Sequence, residues 1–265
     1  MLRAYAILFL VFLYAPIALL PVFAFNDGTV IAFPLDGFTT RWFAKMTTNG
    51  ELHAALLNSL FVAGTASALS VILGLMAARA GVRYRWPGKG AMQGLIMLPL
   101  VLPEIIVAVS LLIVMVQILG LSLSLWALIA AHTLICTPFS VAILNASFQA
   151  LDPALEEAAI DLGETRASTF RLVTLPLVMP GIVAAALISF TISLDEFIIA
   201  FFLTGSDTTL PVYIWSLLRF PRELPVIMAL GTVLVAVSIG IVTLAEWNRR
   251  RGLERAGARD RGGFL

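Results

Sequence analysis

Apolar positions along this chain fall in long, nearly unbroken runs separated by short polar segments, with neither the alternation of strands nor the one-sided stripe of a soluble amphipathic helix. Six runs stand out, at residues 5–25, 58–78, 91–119, 123–148, 177–203 and 226–247. A bilayer core about 30 Å thick is crossed by about 20 helical residues, so each run is long enough to span it. The pattern therefore predicts an all-α membrane protein with six transmembrane helices in a single membrane domain covering residues 1–265. Within the third run, Pro99 and Pro103 stand just before Glu104 and predict a broken helix there.

Composition sharpens this picture. Hydrophobic residues make up 60% and charged residues 12% of the chain, against about 25% charged in a soluble domain. Little sequence remains for an extramembrane domain, so enzyme chemistry is expected on other chains. The first outer loop, residues 26–53, carries Phe33, Phe38, Trp42 and Phe43 and reads as a surface packed on membrane or partner. The first run is read as a retained anchor, although its basic start and Val22-x-Ala24 resemble a signal peptide.

Charge fixes the expected orientation. Of the 17 Lys and Arg, all but Arg41, Lys45, Arg219 and Arg222 fall on one side of the six runs, which places that side and both termini in the cytoplasm. The basic, turn-rich loop 79–90 reads as a cytoplasmic anchor, and the Arg- and Gly-rich tail 249–265 as disordered or lying on anionic lipid rather than binding nucleic acid.

One cytoplasmic loop, residues 151–176, departs from a plain anchor. Asp152-Pro153 opens a helix and Gly163 closes it. Leu155, Ala158, Ala159 and Leu162 share a narrow apolar face, while Glu156, Glu157 and Asp161 are expected on the opposite one. Lipid-lying helices carry basic polar faces; this one is acidic, which favours docking on a cytoplasmic protein over lipid, with an ordinary amphipathic loop as the other reading. A second helical piece from Thr165 is expected to stop at Pro176.

Glu157-Ala158-Ala159, Gly163, Val173 and Leu175-Pro176 are spaced as in E-A-A-x3-G-x9-I-x-L-P, with Val173 for Ile. The loop thus resembles the signature of permease subunits of binding-protein-dependent ABC importers. The resemblance implies a type I importer fold whose coupling helices, at Glu156 to Gly163 and Leu175-Pro176, dock on an ATPase. It also implies a second, homologous permease, an ATPase dimer holding ATP and Mg, and an extracytoplasmic solute-binding protein, in a bacterial inner membrane.

Carboxylates inside apolar runs are costly, about 2.5–3.5 kcal/mol at mid-span, and mark cavities or pathways. Glu104, Asp195 and Glu196 are such candidates for a cation site, with a place near an aqueous end or against a partner as the structural alternative. Asp195 and Glu196 are neighbours, so one of the two is expected to face a lumen. Tyr213 and Trp215 are aromatic candidates near an outer mouth. Residues 189–220, with Ser-Leu-Asp-Glu, Thr-Gly and Thr-Leu-Pro, resemble the same region of spermidine/putrescine permeases of the second-subunit type. That resemblance implies a polyamine or related amine as solute.

Other chemistries find little support. No Gly-rich loop has the spacing of a nucleotide site, and Cys136 is single and without metal-ligand company. His53 and His132 have no catalytic partners in the sequence. An ion-coupled secondary carrier using Asp195 and Glu196 is the alternative function, and it predicts an inverted repeat that the sequence does not display.

Overall fold

The computed structural model describes residues 2–255; residues 256–265, most of the expected basic tail, lie outside the described residues. Twelve helices are described, with no strand among the described residues beyond one isolated bridge between Asn26 and Phe38. They form two compact units, one from residues before Glu51 and after Tyr213, the other from Glu51–Tyr213.

In the first unit, α1 (Leu2–Ala24) and α2 (Arg41–Thr48) pack against α12 (Leu224–Arg255). Ala24, Trp42, Val226 and Ala229 form its core. The expected outer loop is thus partly helical, and its aromatics are not all left for a partner. Trp42 is buried and donates its indole N–H to the Asn26 carbonyl at 2.8 Å, Phe43 packs on the core, and Phe38 stacks on Phe25. Burying an indole beside a helix end satisfies both its apolar ring and its polar edge. By contrast, Tyr5 to Tyr14 of α1 are exposed, in a helix whose mean apolarity suits lipid. α12 continues through the start of the expected tail to Arg255, so residues 249–255 are helical rather than disordered.

The second unit holds α3 (Gly50–Arg83), α4 (Lys89–Val101), α5 (Glu104–Ile113, continued by a π turn Val114–Ile118), α6 (Leu125–Ala150), α9 (Leu175–Asp195) and α10 (Ile198–Leu203), with the short loop helices α7 (Pro153–Asp161) and α8 (Arg166–Thr169) between α6 and α9. α11 (Leu210–Leu217) begins here. The run 58–78 extends to 34 helical residues, so Arg79 and Arg83 of the expected loop are helical. Among the described residues five helices are long and apolar enough to cross a membrane, and the bent pair α4–α5 makes up to a sixth.

Small residues let the helices of this unit approach closely. Ser67, Ser70, Gly74 and Ala78 line one side of α3, and a methyl built on Gly74 would stand 2.7 Å from the Ser140 Cβ of α6. Between helices in a membrane no hydrophobic drive operates, so close packing and hydrogen bonds hold the bundle. Ser140 bonds Ser70 at 3.3 Å and Ser189 of α9 at 2.9 Å, and Ser67 donates to the Ala186 carbonyl at 2.7 Å. Two steps along, His132 Nδ1 lies 2.7 Å from the Ser193 hydroxyl. α3, α6 and α9 are thereby stitched by a seam of buried hydroxyls that closes on itself.

Candidate functional site: a capped helical loop and an acidic helix break

The loop between α6 and α9 is built as its capping residues dictate. Asp152 Oδ1 accepts from the Ala154 N–H at 2.9 Å and opens α7. At its other end Gly163 has φ +97°, and its N–H and that of Glu164 return to the carbonyls of Ile160 and Ala159 at 2.9 and 3.1 Å. These two bonds form a Schellman cap, which needs a left-handed residue at Gly163. Thr165 then caps α8, accepting from the Ser168 N–H at 3.2 Å.

α7 faces the other way from the sequence expectation. Glu156 turns inward: Arg83 Nε lies 3.0 Å from its Oε2, and the Thr174 hydroxyl donates to its Oε1 at 2.5 Å. Arg83 also donates to the Leu151 carbonyl at 3.0 Å. A charged helix end at Arg83 outcompetes solvent for this carboxylate, because the pair is largely shielded. Leu155, Ala158 and Leu162 are therefore exposed, together with Ala154, Glu157, Ile160 and Asp161, while Ala159 is half-buried. Leu162 is 88% exposed, a large apolar side chain held in solvent by the cap.

Pro176 does not stop the following helix. Residues 166–195 run on as one helix, and the missing Pro176 N–H is absorbed by a π turn, Phe170–Thr174, in which the Leu175 N–H reaches back to the Phe170 carbonyl. A proline deprives the carbonyl four residues earlier of its donor, and an i→i+5 turn is one way to accommodate that. The same turn aims Thr174 at Glu156. Leu175 and Pro176 thus open α9, joined through Thr174 to α7.

The carboxylates of the apolar runs gather at two helix breaks. α4 and α5 meet at a bend of 108° across Leu102-Pro103, and Glu104 is the first residue of α5. The fifth run, expected to be continuous to residue 203, breaks between α9 and α10 at Glu196-Phe197. Glu196 is buried, and its Oε1 accepts the Ile199 N–H at 2.9 Å, capping α10. α5 packs on α10, so the two breaks adjoin. Glu104 and Glu196 line one cavity of about 390 Å³, walled by Pro103, Ile135, Phe139 and Ile192. Each carboxylate stands at the N-terminal end of a half-helix.

Of the adjacent pair, Glu196 lines this cavity and Asp195, which does not, is exposed. Tyr213 is buried in α11, and Trp215, 45% exposed, is its open aromatic. His53 is exposed near the start of α3. Sequence reasoning missed the seam of Ser70, Ser140, Ser189, Ser193 and His132. Its signal was present as hydroxyls recurring every four residues in α9.

The helical bundle, with its capped loop between α6 and α9, is that of a multi-pass membrane protein. Residues 70–251 match the family described as binding-protein-dependent transport system inner membrane component, and the chain belongs to that family. Among similar proteins is the spermidine/putrescine transport system permease protein PotC of Haemophilus influenzae, 34% identical over 241 residues, covering 91% of this chain and 93% of that one. The putrescine transport system permease protein PotI of Escherichia coli K12 is 34% identical over 259 residues, covering 94% and 90%. Among solved structures, a bacterial alginate ABC transporter in complex with its alginate-bound periplasmic protein matches with a TM-score of 0.71 and 24% identity, covering 95% of this chain and 93% of that one. The fold is that of type I ABC importer permeases, in a multi-pass inner-membrane protein. These findings do not favour the ion-coupled carrier.

Proposed function

We propose that this chain forms half of the translocation pathway of an ATP-driven importer for a polyamine, spermidine or putrescine, or a related amine compound. The observation that carries the reading is the 34% identity to polyamine permeases across nine-tenths of both chains. The acidic helix break supports it, since an extended polycation is met by carboxylates and aromatic faces. Glu104 and Glu196 supply the charge within the cavity and Asp195 at the surface of the same break, while Tyr213 and Trp215 of α11 are the aromatic candidates.

In this reading the chain is non-catalytic and pairs with a different, homologous permease. Two ATPase subunits hold ATP and Mg, and an extracytoplasmic binding protein delivers the solute. Both termini lie in the cytoplasm, as the charge distribution directs. The exposed face of α7, with Leu155, Ala158 and Leu162 rimmed by Glu157 and Asp161, docks on the ATPase, while Glu156 fastens α7 to α3 and to the π turn. Closure of the ATPases on ATP would then displace α7, and the displacement would reach the acidic break along α9.

The test is uptake into proteoliposomes holding the complex with its co-encoded partners, with labelled putrescine and spermidine compared with neutral and anionic solutes. ATP-dependent polyamine uptake that survives an uncoupler is expected. Uptake confined to neutral or anionic solutes would remove the polyamine reading and leave an importer.

A further inference from the structure

A second cavity, of about 340 Å³, lies between the end of α3 and the coupling loop. Three arginines line it, Arg79, Arg83 and Arg166, against two carboxylates, Glu156 and Glu157. Arg83 is committed to Glu156 and to the Leu151 carbonyl. Arg79 lies over the Phe170 ring at 4.1 Å, a contact made through the face of the guanidinium that leaves its N–H edge open. The Arg166 side chain is exposed and forms no ion pair or hydrogen bond among the described residues. Thr169 at the wall is 3% exposed, and its hydroxyl has no partner there. Buried hydroxyls are almost always paired, so one so placed beside surplus positive charge marks where an acceptor-rich ligand completes the site.

The position narrows the ligand. Tyr84 also lines the cavity, immediately after the 34 residues of α3, at the level where spanning helices meet lipid headgroups. Arginine forks match phosphate oxygens in pairs, and a hydroxyl adds a third donor. We propose that this cavity binds the phosphate group of an anionic phospholipid, held by Arg79 and Arg166 with Thr169, beside the coupling helix. The proposal rests on the reading of this loop as cytoplasmic, where anionic lipid attracts juxtamembrane arginines. A bound headgroup would bridge α3 to the start of α8, so membrane charge would set how firmly the coupling loop is held.

The experiment uses the assembled transporter in nanodiscs of phosphatidylcholine, alone or with phosphatidylglycerol, and counts retained lipid by native mass spectrometry. Selective retention of phosphatidylglycerol is expected, weakened about fivefold by Arg166→Gln. Thr169→Val should weaken it too, and Thr169→Ser should restore it. Equal retention by wild type, Arg166→Gln and Thr169→Val overturns the proposal. Titration of inorganic phosphate into phosphatidylcholine discs separates the sources: saturable binding lost in Arg166→Gln, with no phosphatidylglycerol retained, assigns the phosphate site to a soluble ligand and overturns the lipid. Loss of the ATPase from both variants in lipid-free detergent would give the cavity to an acidic protein partner instead, again overturning it. Retention is read without transport, so a failure of polyamine uptake leaves this result standing.

Discussion

Gly74 and Gly64 stand on the same helix ten residues apart and have opposite surroundings. A methyl on Gly74 meets Ser140 of α6 at 2.7 Å and its backbone at 3.1 Å, whereas one on Gly64 meets nothing within 4 Å. Gly74→Ala is expected to destabilise the chain by about 1–3 kcal/mol through overpacking, and Gly64→Ala to be neutral or stabilising by up to about 1 kcal/mol through helix propensity. Thermal unfolding of the purified complex checks both, and equal effects would mean that α3 and α6 do not approach so closely. Arg83 and Glu156 make a second residue-scale case. Either one left alone is a shielded, unpaired charge, so the cycle through Arg83→Gln and Glu156→Gln should show a coupling of about 0.5–3 kcal/mol. Additive effects would remove the pair from the account of how α7 is held.

At the scale of elements, the breaks and caps decide what each carboxylate can do. Glu196 caps α10 with one oxygen and faces the cavity, two roles that isosteric substitution separates. Glu196→Gln keeps an acceptor for the Ile199 N–H and removes the charge, so polyamine uptake should fall while assembly is unchanged. Glu196→Leu should also lower stability, by about 1 kcal/mol for the lost cap. If Gln transports like Glu, this carboxylate is a cap and nothing more. The break at Glu196 was not legible in the sequence, because the run 189–203 has neither Pro nor Gly and reads as one helix. That at Pro103 was, because proline announces it. Gly163 was equally plain as a helix end, and its φ of +97° is the reason. The facing of α7 was not: periodicity alone put Glu156 with the other acids, and only Arg83, 73 positions earlier, turns it inward.

On the scale of the whole molecule, hydropathy made the spans legible, and the residue spacing within the loop 151–176 the family. What hydropathy could not convey was where long runs bend or overshoot, since helix length is set by packing and capping as well as by apolarity. Charge sets the expected orientation, and that expectation is directly testable. In a Cys136→Ala background, Arg85→Cys should be labelled by an impermeant reagent only from the cytoplasm and Ser206→Cys only from outside. The reverse pattern would invert every assignment that depends on sidedness.

The hydroxyl seam has a mechanical consequence. Helices stitched to one another along their length cannot slide independently, so α3, α6 and α9 tilt as a block. α9 spans 21 residues, about 32 Å at 1.5 Å per residue, with the π turn at one end and the acidic break at the other. It is thus a stiff lever: a rotation of about 10° at the π-turn end swings the far end by about 6 Å over that length. A displacement of that size, comparable to the width of a hydrated ammonium group, is enough to open or shut the space between Glu104 and Glu196 without any helix having to unwind.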